Sequence, residues 1–475
     1  MFDVIVIGGG VIGGLVLREL TKYDLSVAML EKENDVCAGA SKANSGIVHA
    51  GFDAAENSYK AKFNVSGNGM MPRLCSELGV KYRNNGSLVV AFSEEERQVL
   101  YELKARGEKN GVDGLEIVGK ARLRAMEKNI SDEAVAALFA KTGGIVCPYE
   151  LTVAAIGNAM DNGAKLFTDF EVSEITKNAE YFSVRSSDGK ETEGRVVVNC
   201  AGLASGKIAA LVGDDYIRIN GRKGEYILLD KENDGFVNHT LFFTPTKLGK
   251  GILVTQTVDG NILLGPTAEE NVTDTETSAK GLSFVIEKAG KMCKNLPLYD
   301  TITSFAGVRA FSDGHDFIIG ESKNAKGLIH CAGIESPGLT ASPAIAKFVT
   351  ETLVGGILPL KRNERFNGNR KPDYFFKNLS AEEKNEIIKR DPSYGKVVCR
   401  CERITEGEIL RALRDNPPAK DVDGVKRRTR AGMGRCQGGF CQPYVAELIA
   451  KELKVPLSEV TKCGKGSRLL IGETK

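Results

Sequence analysis

"DVIVIGGGVIGG", Asp3–Gly14, decides the reading of this chain. Val4–Ile7 is a short apolar run of the kind that forms a buried strand. Gly8, Gly10 and Gly13 then satisfy G-x-G-x-x-G, Leu15–Leu20 continues as a helix, and "LSVAMLE" supplies a second buried strand ending at Glu31. Each position has a physical task. Gly8 makes the tight turn, Gly10 lets backbone approach a pyrophosphate, and Gly13 allows helix and strand to pack closely. The helix N-terminus offers unpaired N–H groups to phosphate, and Glu31 stands where a carboxylate accepts hydrogen bonds from ribose hydroxyls. The order strand, glycines, helix, strand, acid points to dinucleotide binding rather than a ligand-free turn. It does not separate FAD from NAD.

The chain of 475 residues is long enough for two or three domains. A formal net charge of +2 gives no bulk attraction to nucleic acid or an anionic membrane. The apolar N-terminal stretch lacks a basic leader, carries Asp3 and is broken by three glycines, so it does not read as a signal peptide. With no long uncharged apolar run elsewhere, the expectation is a cytoplasmic protein with no transmembrane segment. Five of the 11 cysteines follow residue 398, a clustering unlike a secreted disulfide scaffold.

Three further segments narrow the cofactor. "ASKANSGIVHAGF" (Ala40–Phe52) follows the second strand. "GRVVVNCAG" (Gly194–Gly202) is a strand entering a small-residue turn. "GLIHCAGIESPGLTASPAIAKFV" (Gly327–Val349) reads strand, glycine-containing loop, helix. With these in place, residues 1–360 resemble the FAD-dependent D-amino-acid-oxidase-like superfamily. The resemblance implies an α/β fold: a Rossmann-type FAD-binding domain (about 1–80, 145–215 and 305–360) with an inserted strand-rich substrate domain (about 81–144 and 216–304). It implies cofactor contacts from Gly8, Gly10, Gly13, Glu31, Ser41, Asn44, Ser45, Val172, Ala201, Gly202, Gly338, Leu339 and Thr340. The last helix would aim its N-terminus at the flavin, where a positive dipole end stabilises the reduced ring.

Between these segments, residues 53–80 read as helical, and Tyr82–Phe92 as a strand pair around Asn85-Gly86, a hairpin signal. "SEEERQVLYELKARGEKNG" opens on a Ser cap followed by acids, marking a helix. "GGIVCPYELTV…" runs from a loop through a helix to a strand near Phe167–Ile175. Residues 216–310 are strand-rich, and 361–395 reads as a linker with one short helix.

On the substrate side, the resemblance places Arg309, in "SFAGVRAFSDGHDFIIG", facing the flavin and binding an anionic group. Arginine suits this task through its planar two-pronged fork; a structural ion pair is the alternative. His49, in "NSGIVHAG", would run past the flavin ring. It either takes the substrate's hydroxyl proton or only contacts the flavin. Lys247 and Lys250, in "TPTKLGKG", stand in a loop over the active site, as phosphate contacts or solvated charges. "NSGIVHAG", "KGEY", "NILLGPT" and "AGVRA" look most like the glycerol-3-phosphate and L-2-hydroxyglutarate dehydrogenase branches. One departure is that "AGIESPGLTASPA" has no lysine where glycerol-3-phosphate dehydrogenases carry Gly-Gly-Lys, which leaves a 2-hydroxy acid open as substrate.

At the other end, Cys399 and Cys401 form C-x-C, and Cys436 and Cys441 form C-x4-C. Helix, turn, helix, Cys-rich loop, helix is the implied order. Four thiolates suit zinc or an iron–sulfur cluster. The pattern over 396–460 resembles the 2Fe-2S domain of the bacterioferritin-associated ferredoxin family, with 461–475 a tail, and the resemblance makes these four cysteines the metal ligands. Arg400, Arg403 and Arg435, close to the ligands, either offset cluster charge or form a solvated basic face.

The expected protein is thus a FAD-dependent dehydrogenase oxidising an anionic secondary alcohol. The best candidate reaction converts sn-glycerol 3-phosphate to dihydroxyacetone phosphate, with electrons passed to a 2Fe-2S cluster and onward, as the resemblance implies, to a second NAD(P)/FAD-dependent oxidoreductase subunit. An amine or imino-acid dehydrogenase of the opine or sarcosine type, and a non-catalytic electron-relay subunit, are the other readings.

Overall fold

The computed structural model describes residues 1–245, 251–370 and 376–472. The strand Phe2–Ile7 is the middle of a twisted eight-stranded sheet. It runs parallel to Val27–Leu30 on one side and to Glu191–Asn199 on the other, with Ile5 opposite Ala28 and Val197. Lys165–Phe167 extends one edge in parallel. Leu328–Ala332 pairs in parallel with the end of Glu191–Asn199, and Ile318–Glu321 turns back on it antiparallel. The central strand is buried on both faces, which is why it reads as an unbroken Val/Ile run.

The helices Val11–Leu20, Tyr59–Leu78, Pro148–Asp161 and Gly338–Phe348 pack over one face of this sheet in a shared core that includes Leu17, Leu20, Met71, Ile156 and Ile345. The antiparallel strands Val172–Lys177 and Phe182–Ser186 complete the sheet, the latter pairing with the start of Glu191–Asn199, and Phe182 and Val184 share a second core with Ile5 and Leu328.

A second sheet of nine strands stands beside the first. Its long strands Ile219–Leu229 and Thr301–Ser312 pair antiparallel along their length, with Arg222 opposite Arg309. Thr301–Ser312 spans the boundary expected near 304. The helix Ala279–Met292 packs on this sheet through Val285, Ala289 and Met292. A helix inside the strand-rich stretch was not expected; its apolar residues recur at helical spacing behind the Ser278 N-cap.

Two further expectations change. Tyr82–Arg83 and Ser87–Ala91 are not a hairpin: the first belongs to a three-stranded sheet and the second to the nine-stranded one. Residues 136–146 win the pairing. Gly144–Val146 adds to Tyr82–Arg83, Ala136–Ala140 adds to Ser87–Ala91, and Gly86, at φ +70°, makes the crossover. Gly144–Val146, expected as loop, is therefore a strand; it pairs with Ile47–Val48 as well.

Beyond 360 the chain runs back over the first sheet's helices. Lys361 and Asn363 bond to the turn after the first helix, and Asn367 bonds to Asn158 and Asn162. The helix Ala381–Arg390 follows, closed by a capping box on Ser380 and Glu383. The C-terminal unit then packs Glu406–Arg414, Val422–Thr429 and Gln442–Leu453 around Ile409, Val425 and Ile449, in the expected helical order.

Candidate functional site: a flavin-type cavity and a four-cysteine centre

One cavity of ≈ 2790 Å³ runs from the glycine turn to the face of the second sheet. At one end Gly8, Gly9 and Gly10 line it. Gly8 sits at φ +106°, and a Cβ there would stand 2.5 Å from the Cys200 carbonyl oxygen; only glycine fits. Gly13 does not line the cavity: a side chain there would collide with the Gly8 carbonyl, so it serves the close helix–turn packing. Glu31 accepts hydrogen bonds from the N–H groups of Gly9 (2.6 Å) and Glu33 (3.0 Å). Burial pushes its carboxyl up, against the pull of those two N–H groups.

The loop after the second strand shapes the cavity's side. The Val11 N–H donates to Ser41 Oγ, which holds the loop against the helix N-terminus. Asn44 donates to the carbonyls of Ala40 and Ser41 and accepts from Gly46 N–H, so it braces the loop. Ser41, Asn44, Ser45, Ala201, Gly202, Gly338 and Leu339 all line the cavity. Thr340 and Val172 do not. Thr340 lies beneath the wall, where its hydroxyl oxygen accepts from the His49 N–H at 2.9 Å. Val172 opens a strand paired with Ser186 and packs against the sheet's far side.

His49 and Arg309 line the same cavity. His49 Nε2 stands 3.3 Å from Ser336 Oγ, and its ring lies 5.8 Å from Phe242. Its carbonyl accepts from Asn64 and Asn68. Arg309 gives Nη2 to the Thr267 carbonyl at 3.1 Å, while its buried Nε has no hydrogen-bond partner among the described residues. A half-buried cation with an unspent donor fits an anionic ligand. Lys247 and Lys250 lie outside the described residues.

Sequence reasoning missed a charged cluster beside Arg309. Glu335, buried, takes Lys60 at 2.8 Å on one oxygen and Arg222 at 2.8 Å on the other. All three line the cavity. They come from a helix, a strand and a loop far apart in sequence, so no local pattern marks them. Tyr226, stacked on Phe305 at 4.9 Å, was also missed, although "RKGEYILLD" contains both it and Arg222.

The four C-terminal cysteines converge as two pairs. Cys401 Sγ and Cys436 Sγ are 3.6 Å apart. Cys399 pairs with Cys441, which N-caps the helix Gln442–Leu453. The Cys441 thiol, followed by the N–H groups of Gly432 and Glu402, pulls the Cys399 thiol down to about 6, and Cys441 is pushed up in return. Two pairs match a binuclear cluster in which each iron takes two thiolates. A side chain at Gly434 would collide with Cys401, so glycine permits the two loops to meet.

The cysteine unit is fixed to the rest by charge. Asp35, on the Rossmann side, holds Arg427 (2.6 Å) and Arg428 (2.7 Å). Buried Arg430 reaches Glu402, Asp259 and the Tyr149 hydroxyl. Arg435 is spent on Asp230, Glu232 and Asp300.

A Rossmann sheet whose glycine turn opens on a cavity shared by a histidine and an arginine with an unspent donor, joined to a paired-cysteine module, defines a flavoprotein oxidoreductase with an iron–sulfur domain. The chain belongs to the FAD dependent oxidoreductase family, which matches residues 3–352, and carries a BFD-like [2Fe-2S] binding domain at 397–451. Its cofactors are FAD and a 2Fe-2S cluster. It is 48% identical to a glycerol 3-phosphate dehydrogenase from Caloramator mitchellensis, over 100% of this chain and 99% of that one. It is 32% identical to a glycerol 3-phosphate oxidase from Mycoplasma genitalium, over 78% and 98%. The L-alpha-glycerophosphate oxidase of Mycoplasma pneumoniae with FAD bound superposes with a TM-score of 0.74 at 29% identity, over 78% of this chain and 98% of that one. Among the described residues no helix is long and apolar enough to cross a membrane.

Proposed function

We propose that this chain is a FAD-dependent dehydrogenase that oxidises sn-glycerol 3-phosphate to dihydroxyacetone phosphate and releases the electrons through its 2Fe-2S domain. Full-length 48% identity to a glycerol 3-phosphate dehydrogenase supports the substrate. The observation that carries the chemistry is Arg309, half-buried with an unspent Nε donor in the cavity that His49 also lines.

FAD, when bound, supplies a two-electron acceptor. Gly8, Gly10 and the N-terminus of the first helix hold its pyrophosphate, and Glu31 its ribose. Ser41, Asn44, Ser45, Ala201, Gly202, Gly338 and Leu339 line its bed. Thr340 acts through His49, and Val172 has only a structural part. Arg309 binds the substrate's phosphate by charge and fork geometry. His49 Nε2 accepts the hydroxyl proton, oriented by Ser336 Oγ and by the backbone bond to Thr340. Cys399, Cys401, Cys436 and Cys441 hold the cluster.

In domain terms, 1–360 is the oxidoreductase, 361–395 the linker, 396–460 the cluster domain and 461–475 the tail. The chain works in the cytoplasm, with a second oxidoreductase subunit as a possible acceptor. A 2-hydroxy acid is the second reading, favoured by the absence of lysine from 332–344. Anaerobic titration separates them: sn-glycerol 3-phosphate should bleach the flavin absorption and L-2-hydroxyglutarate should not. The reverse result would replace the substrate.

A further inference from the structure

We propose that the solvent-facing edge of the cluster domain, formed by the loops carrying Cys401 and Cys436, is a docking surface for an acidic one-electron carrier protein. This rests on the reading that electrons leave through the cluster.

The four thiols are not equally placed. Cys399 and Cys441 are buried, Cys401 is exposed and Cys436 is half-buried. One pair therefore faces the protein and the other faces water. An outward pair shortens the tunnelling gap to an external acceptor.

The exposed charges on the two cysteine loops share one sign. In 396–405 the exposed residues are Lys396, Val397, Arg400, Cys401 and Arg403. The only acid there, Glu402, is 2% exposed and turned inward onto Arg430, Lys231 and Lys377. The second loop, 434–443, contains no acid; it exposes Arg435 and Phe440, the latter 88% exposed beside Cys441. Lys396 is committed to Glu406, and Arg435 to its three carboxylates. Arg400 and Arg403 make no ion pair among the described residues.

Two unpaired arginines in water do little for the cluster itself, because solvent screens them. What exposed like charges around a redox centre do well is steer an oppositely charged partner. An uncovered aromatic within a polar rim is the usual anchor of a protein interface. The partner is therefore a protein with an acidic face around a one-electron centre. The electron count closes: oxidation of the alcohol to the ketone releases two electrons and two protons. Two oxidised carriers take one electron each, and both protons pass to solvent.

The test uses the holoenzyme, anaerobic, with sn-glycerol 3-phosphate as reductant. The acidic haem domain of cytochrome b5 and basic cytochrome c serve as probe acceptors. The expected second-order rate constant for cytochrome b5 falls as salt rises, and Arg400→Glu with Arg403→Glu lowers it about tenfold at low ionic strength. The same double variant speeds cytochrome c. Phe440→Ala slows cytochrome b5 without changing its salt slope. Line broadening in labelled cytochrome b5, caused by the oxidised holoenzyme, disappears with the double variant. Salt slopes identical in wild type and double variant would overturn the proposal. So would a dimer, seen by sedimentation, that Phe440→Ala dissociates, since a second copy would then cover this face. Flavin bleaching by substrate without any acceptor is the separate control. Its absence from the wild type sinks the functional reading instead, and its loss only in a variant marks damage at a distance.

Discussion

Arg309 gives one donor to the Thr267 carbonyl and keeps its buried Nε unspent. Replacing it with Met removes the guanidinium fork assigned to the anion. The expected loss in kcat/KM is about 10²–10³-fold, the size of a charge-assisted bidentate contact, with Arg309→Lys recovering only part because an ammonium lacks the fork. His49 is tested apart from binding. His49→Gln should lower kcat by about 10²–10⁴-fold, leave KM within a few-fold, and abolish the acid limb of the kcat/KM pH profile. An unchanged profile would reduce His49 to a flavin neighbour. At this scale the sequence was informative where a residue sits inside a local pattern. Gly8, Gly10 and Glu31 announce themselves by spacing. Lys60, Arg222 and Glu335 do not, because their ion pairs join segments 275 and 113 positions apart.

At the scale of elements, the first strand, turn and helix form one device whose tolerance is steric. Gly13→Ala would push a methyl into the Gly8 carbonyl. The helix would have to withdraw from the turn, and its N-terminus would leave the pyrophosphate site. The purified variant is expected to retain well under half the FAD of wild type, read from the ratio of flavin to protein absorbance, whereas Gly69→Ala, exposed on the helix Tyr59–Leu78 with open space around its Cβ position, should retain all of it. The parallel strands and their helices were legible because burial on both faces writes long apolar runs. The pairing of 82–91 was not. A two-residue Asn-Gly signal competes there with partners from 136–146, and nothing local reveals that a distant segment wins. The helix Ala279–Met292 was hidden by the strands on either side of it.

For the whole molecule the question is what keeps the cluster domain against the flavin domain. Asp35 is the central contact, buried, with Arg427 and Arg428 both on its carboxylate. Burial pushes the Asp35 carboxyl up, but Arg428 and then Arg427 outweigh it and hold it below the ordinary value. Removing one partner from a buried pair costs about 3–5 kcal/mol, because the remaining charges are left unpaired. Asp35→Asn should therefore loosen the docking while Arg430, through Asp259 and the Tyr149 hydroxyl, still tethers the unit. Substrate should bleach the flavin at the normal rate, cluster reduction should slow, and protease should cut more readily within 361–395. The pH dependence carries the sign. A carboxyl depressed in the folded state contributes its stability in full above its unfolded value of about 4, and loses it as pH falls through the lower folded value. The wild-type advantage over Asp35→Asn should thus be constant at neutral pH and shrink only below about pH 4. An advantage that shrinks already between neutrality and pH 5, or none at all, would show that the ionised Asp35 is not what clamps the two halves together.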